Sequence, residues 1–281
     1  MTSSSFTPSQ PSRPPTPQTV GQDQDRSPSV RSLMTFAAAA LGVGGTLLAV
    51  STRVEPDAPF VLAAVLLGLA LPALVLTHRE AGGSGVRALL RNCIRIPRQW
   101  WWLPLAGSGL PVLTWTFGAA LGGAQPPTWG LVAFYLADLV IGVLIINVWE
   151  EMAWTGYFQR RAVSRWGMVG GSLVTSIFFT GIHIPLAVHG AGSLPEAAGN
   201  IALLAAVAVG MRLVIAHIDR WTGSLLVIGL FHSSFNATEA VLRGSHDWVR
   251  LAVVMCLAVL LVAFLPTRGR AVCSPPYRDA P

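Results

Sequence analysis

Runs of about twenty apolar residues recur along this chain, and they limit the folds that it can adopt. A helix needs about 20 apolar residues to cross the hydrocarbon core of a bilayer. The runs lack the alternation of a strand, and in lipid only helices and closed barrels satisfy their own backbone hydrogen bonds. The sequence therefore predicts an all-α fold, a polytopic bundle of about eight transmembrane helices. We place the spans at about 33–50, 59–77, 101–122, 131–159, 169–188, 197–217, 221–242 and 248–265.

Composition separates this chain from soluble proteins and from nucleic-acid-binding proteins. Hydrophobic residues make up 52% of the chain and charged residues 11%, whereas about a quarter of the residues of a soluble domain are charged. The net charge is +6, but all 19 basic residues are arginines. They cluster at the ends of apolar runs, as topology signals do, and not in a patch that fits a nucleic-acid groove. We therefore expect the lipid bilayer, and not a nucleic acid, as a partner.

The distribution of arginine predicts the orientation of the chain in the membrane. Sixteen arginines fall in the two tails, in the loops that alternate spans place on one side, or near the ends of spans on that side, and three (Arg53, Arg243 and Arg250) fall on the other. Loops rich in arginine stay in the cytoplasm. The sequence thus predicts a multi-pass cell-membrane protein with both termini cytoplasmic, which agrees with an even number of spans.

Two adjacent carboxylates, Glu150 and Glu151, lie inside the fourth predicted span. A charged residue at the membrane centre costs about 2.5–3.5 kcal/mol on insertion scales, so the pair needs an explanation. Asn147, Glu151, Thr155 and Gln159 recur every four residues and form one polar stripe, while Glu150 points about 100° away. Two carboxylates that snorkel to water are the alternative to a functional site.

Two further polar positions lie in the fifth and seventh predicted spans. His183 follows Phe179 by four residues, and His232 precedes Asn236 by four, so each pair shares a helix face. Considered by itself, His183 is also compatible with a core histidine that is hydrogen-bonded to a backbone carbonyl. The pair His232 and Asn236 is equally compatible with a hydrogen-bonded contact that holds two helices together. The depths of these residues along their spans are compatible with one site when helices tilt by about 20°.

Together these five residues indicate hydrolytic chemistry. A carboxylate can activate a water, and a histidine and an amide can donate to an oxyanion. Two histidines and a glutamate are alternatively a zinc ligand set, which here would comprise Glu150, His183 and His232. The residues leave open whether the cofactor is none or Zn²⁺.

The chain resembles the CPBP family of intramembrane endopeptidases, which includes the CAAX proteases and bacteriocin-processing proteins. The family's three motifs are Glu-Glu-x-x-x-Arg, Phe-x-x-x-His and His-x-x-x-Asn. Their counterparts, in the same order, are Glu150-Glu151, Phe179 to His183, and His232 to Asn236. One position departs from the pattern, because Thr155 stands where the family has arginine. Arg212 is a candidate replacement partner for Glu151, unless it snorkels to the cytoplasmic side.

The resemblance implies a role for each residue. Glu150 would be the general base for a water that His183 helps to hold, and His232 and Asn236 would stabilise the tetrahedral oxyanion. Glu151 would tune or orient the site. The family has also been called a metalloprotease, so a zinc version stays open. We therefore predict an intramembrane endopeptidase that cleaves membrane-anchored peptides or proteins.

Two other functions remain open at this point. Thr155 favours a catalytically silent relative that acts as an immunity, chaperone or scaffold protein in the membrane. A transporter that uses the same polar residues for proton coupling is disfavoured, because the sequence lacks internal repeats and visibly broken helices.

The resemblance and the spans predict four regions. A tail rich in Ser, Thr, Pro and Gln, residues 1–32, is predicted to be disordered and cytoplasmic. Three N-terminal transmembrane helices occupy 33–122, and the protease-like core occupies 129–243. The last transmembrane helix and a cytoplasmic tail occupy 244–281.

Overall fold

The structure, a computed structural model, describes residues 29–55, 57–122, 127–241 and 247–265. These ranges are almost entirely helical and contain no strand. Residues 1–28 of the predicted tail 1–32, and residues 266–281 of the predicted C-terminal region 244–281, lie outside the described residues. The first helix begins at Val30, inside the range predicted to be disordered, because the carbonyl of Ser29 already accepts backbone hydrogen bonds from Ser32 and Leu33.

The described residues form nine helices. Two of the boundaries between them are glycines with positive φ, Gly82 (φ 63°) and Gly167 (φ 72°), which interrupt otherwise continuous helical stretches. We number the helices in chain order. They are α1 (Val30–Ser51), α2 (58–81), α3 (83–93), α4 (Trp102–Ala120), α5 (129–166), α6 (168–188), α7 (Leu194–Thr222), α8 (Leu225–Val241) and α9 (Asp247–Phe264).

Each predicted span coincides with one of these helices. The ends of eight helices lie within seven residues of the ends of the eight predicted ranges, and α3 is additional. Within the described part of the chain, four helical stretches are long and apolar enough to cross a membrane, and one of them, Trp129–Val188, contains both α5 and α6. A helical membrane bundle is thus confirmed, while the count of eight crossings stays a prediction.

Four segments inside the helices have wider π-helical turns. They are Ala40–Gly44 in α1, Ala64–Ala70 in α2, and Val143–Asn147 and Met152–Gln159 in α5. Single π-helical turns are rare in proteins, and those that occur are often found at functional sites. The two in α5 lie immediately before and after the short α-helical segment Val148–Glu151.

Helix α5 lies in the middle of the bundle, between two hydrophobic clusters. On one side, Trp154, Tyr157 and Phe158 of α5 pack around the ring of Phe36 of α1. On the other side, Val148 and Met152 belong to a cluster formed largely by α7, α8 and α9. The turn of α5 that carries the two glutamates is therefore enclosed by protein.

Candidate active site

The polar stripe predicted on α5 faces the interior of the bundle. Its four residues are at most 2% exposed: Asn147, Glu151, Thr155 and Gln159. A π-helical turn takes more residues than an α-helical one, so residues four apart stay nearly aligned along α5. The stripe is thus a buried polar face within a helix whose other contacts are mainly apolar.

Glu151 forms a buried, two-point ion pair with Arg212 of α7. Arg212 Nη2 lies 2.6 Å from Glu151 Oε1, and Nη1 lies 2.9 Å from Oε2. Both side chains are fully buried. The hydroxyl of Thr155 donates to Glu151 Oε2 and accepts from Arg212 Nη1 at 3.3 Å. The sequence-based candidate partner of Glu151 is thereby confirmed, and Arg212 does not snorkel.

His232 of α8 forms a hydrogen bond with the carboxylate of Glu151. Its Nδ1 lies 2.7 Å from Glu151 Oε1. The carboxylate is paired with a guanidinium and acts as acceptor, so Nδ1 carries the proton and donates. The second ring nitrogen, Nε2, remains for other partners. Glu151 is therefore engaged by three side chains from three helices: Arg212, Thr155 and His232.

His183 of α6 is held in a similar way by the backbone. Its Nδ1 lies 2.8 Å from the carbonyl oxygen of Phe179, which only accepts, so Nδ1 carries the proton here as well. The other nitrogen, Nε2, lies 3.7 Å from Glu150 Oε1. In a neutral His183 this nitrogen is an acceptor, and it faces a second acceptor.

A cavity of about 310 Å³ brings the remaining site residues together. Its polar lining includes Glu150, His183, His232 and Asn236, and Arg212 also reaches it. The apolar part comes from α1 and α2 on one side and from α7 on the other, and includes Leu48, Val61, Leu69, Leu204 and Val207. Glu151 does not line this cavity.

The structure thus separates the five residues that the sequence grouped together. Glu150, His183, His232 and Asn236 share the cavity, whereas Glu151 lies behind His232 in the ion-pair network. Phe179, named in the sequence as a motif position, packs against both parts of the site. Its ring centroid is 4.4 Å from that of His183 and 4.5 Å from Cζ of Arg212.

Two residues make contacts with Arg212 that the sequence did not predict. Gln159 Nε2 donates to the carbonyl oxygen of Arg212 at 2.7 Å, and Ser172 Oγ donates to the same oxygen at 3.3 Å. Gln159 belongs to the polar stripe, so its position in the sequence already placed it on this face. Ser172 gave no signal, because a single serine in a membrane helix commonly bonds to its own helix.

The donors of the proposed zinc site are not arranged around one point. Within the described ranges, no group of three or more His, Cys, Asp or Glu side chains is placed to hold a metal ion. Nδ1 of each histidine is already hydrogen-bonded, so His183 and His232 would each offer only Nε2 to a metal ion. We therefore derive no catalytic step through a metal.

Comparison with known families matches the same part of the chain. Residues 132–238 match the Rce1-like family model, described as type II CAAX prenyl endopeptidase Rce1-like. This part of the chain is therefore similar to the CAAX-protease family. The search of curated proteins found no match to this chain. The matched segment lies inside the predicted core 129–243 and contains all five predicted site residues as well as Arg212.

Proposed function

We propose that this protein is an intramembrane endopeptidase in which Glu150 activates a water for attack on a peptide bond. The observation that carries the proposal is the contrast between the two adjacent glutamates. Glu151 is engaged by Arg212, Thr155 and His232, whereas Glu150 lines the cavity beside His183 Nε2. A general base must be able to reach the reacting proton, and Glu150 meets that requirement.

The facing acceptors of Glu150 and His183 define a place for the water. A water beside the 3.7 Å gap donates one hydrogen to Glu150 Oε1 and the other to His183 Nε2. Its lone pairs then point away from both acceptors and towards the cavity. The bound water is thereby oriented as a nucleophile before the substrate arrives, which lowers the entropic part of the barrier.

The reaction then runs in two steps. The water oxygen forms a bond to the scissile carbonyl carbon, its proton passes to Glu150, and the carbonyl oxygen becomes an oxyanion. The amide of Asn236 donates to that oxygen, and His232 Nε2 does so when it carries a proton. Glu150 next returns the proton to the amide nitrogen as the carbon–nitrogen bond breaks, which releases the amine product.

The surroundings of the cavity support a membrane-associated substrate. The cavity lies within helices that are long and apolar enough to span a bilayer, and its walls from α1, α2 and α7 are largely aliphatic. We therefore propose peptides or proteins anchored in the membrane as substrates. The argument for a silent scaffold protein rested on Thr155, and the cation that this position lacks is supplied by Arg212.

The proposal is tested by comparing new protein termini in membranes that contain the wild type or Glu150→Gln. Purified wild type or purified Glu150→Gln is added to detergent-solubilised membranes. New amino termini are then identified by mass spectrometry with and without a zinc chelator. We expect termini that appear with the wild type, persist with the chelator and are absent with Glu150→Gln. Identical termini in both samples would contradict the proposal, and loss on chelation with recovery on added zinc would establish a metal enzyme.

A further inference from the structure

Arg212 is a fully buried arginine inside the predicted span 197–217. Arginine inside a membrane helix is rare and commonly marks function. We infer that Arg212 is a positioning residue, which orients His232 through Glu151 and does so from α7. This inference rests on the proposed function, because it assigns Arg212 a part in the same reaction.

The network leaves the Glu151 carboxylate one orientation. Both of its oxygens accept from the guanidinium, one at each nitrogen, as in a two-point arginine–carboxylate pair. Oε1 accepts in addition from His232 Nδ1, and Oε2 accepts from the hydroxyl of Thr155. With the carboxylate fixed by Arg212, the ring of His232 is held with Nδ1 towards Glu151 while the side chain lines the cavity.

Arg212 is itself fixed by two neighbouring helices. Its carbonyl oxygen accepts from Gln159 of α5 and Ser172 of α6. Its guanidinium lies over the ring of Phe179, with 4.5 Å between Cζ and the ring centroid. A rigid cation of this kind can set the geometry of a site whose members lie on α5 and α8.

The position of Thr155 indicates how the arrangement can be rebuilt. Position 155 lies four residues after Glu151, the spacing of an ion pair within one helix. Thr155 Oγ1 is 3.3 Å from Arg212 Nη1, so the two side chains adjoin the same space. An arginine at 155 can therefore enter the volume that a smaller or uncharged side chain at 212 leaves free.

Three variants test the role of Arg212. Arg212→Met removes the cation, Arg212→Lys keeps the charge without the planar two-point geometry, and Thr155→Arg/Arg212→Met returns a guanidinium from α5. Arg87→Met serves as the control, because Arg87 is exposed on α3. We expect kcat to fall about 10²-fold in both single variants with KM little changed. The double variant should recover at least a tenth of the wild-type kcat, and the control should match the wild type.

These results separate a positioning role from a structural one. Arg212→Lys that keeps the wild-type kcat overturns the inference, as does a folded double variant without recovery. Melting in detergent shows which variants are folded. If Arg212→Met does not fold, Arg212→Lys and the double variant still decide the question.

A second readout is independent of cleavage. With ¹⁵N-labelled histidine, the His232 ring signals are assigned by their loss in His232→Asn. We expect a proton on Nδ1 in the wild type, and ring signals that change in Arg212→Lys but not in Arg87→Met. Unchanged His232 signals in Arg212→Lys overturn the inference whatever the enzyme cleaves. A wild type that cleaves nothing contradicts the proposed function while leaving this test of Arg212 intact.

Discussion

At the residue scale, two neighbours in the sequence have different surroundings because a helix turns about 100° per residue. Glu151 faces α7 and α8, where Arg212 and His232 bind it. Glu150 faces the cavity and His183. One carboxylate therefore organises the site while the other is available for proton transfer.

Asn236→Asp is expected to lower kcat by about 10²–10³-fold, because it replaces the amide donor with a carboxylate of the same shape and oxyanion-hole donors have effects of this size. Asn236 lies at the exposed edge of the cavity, so stability should be little changed. Steady-state kinetics on a cleaved peptide measure the effect. Asn200→Asp on α7 is the matched control, and wild-type kcat in Asn236→Asp would contradict the assignment.

Sequence spacing predicted four residues that share the cavity, but it also grouped Glu151 with them and predicted only part of the network behind them. Glu150, His183, His232 and Asn236 sit at helical spacings that place them on inward faces, and the family motifs name them. Arg212 is 61 positions from Glu151 along the chain, and no local period links the two. Its pairing depends on the way α7 packs against α5, so the sequence left two alternatives open.

At the element scale, the π-helical turns are the feature that the sequence did not predict. Apolar periodicity indicates a helix, but a wider turn results from contacts with neighbouring helices. Gly44 and Gly68 show such a contact, because a Cβ at Gly68 would overlap the backbone of Gly44. Each glycine lies in a π-helical segment, and Gly44 also lines the cavity.

Gly68→Ala is therefore expected to lower the free energy of unfolding by about 1–3 kcal/mol, since overpacking forces α1 and α2 apart. Gly42→Ala on α1 is the control, because an added Cβ there meets nothing within 4 Å. Alanine favours helix over glycine by up to about 1 kcal/mol, so the control should be neutral or stabilised. Unfolding in detergent compares the two, and equal stabilities would show that the close approach does not matter.

At the scale of the whole molecule, the helices agree with the predicted spans, but orientation rests on arginine counts. The positive-inside rule places the loop between α6 and α7 outside the cell and the start of α3 inside. The family match covers residues 132–238 and leaves the first four helices and α9 outside it. Two of those helices nevertheless contribute to the site, because α1 and α2 form part of the cavity wall.

Labelling of single cysteines tests this orientation. In a variant with Cys93, Cys256 and Cys273 replaced by alanine, His189→Cys and Ser84→Cys introduce exposed thiols on opposite predicted sides. We expect a membrane-impermeant thiol reagent to label His189→Cys in intact cells, and Ser84→Cys only after the cells are opened. The reverse pattern would invert the topology and place both termini outside.

The most direct test of the division between the two glutamates compares Glu150→Gln with Glu151→Gln in one assay of cleavage and thermal melting. Glu150→Gln should lower kcat/KM by about 10²–10⁴-fold, the range of general-base catalysis, and keep the wild-type melting temperature. Glu151→Gln should lower both, because it leaves the buried charge of Arg212 without its partner. A Glu150→Gln enzyme that still cleaves at the wild-type rate would contradict the account.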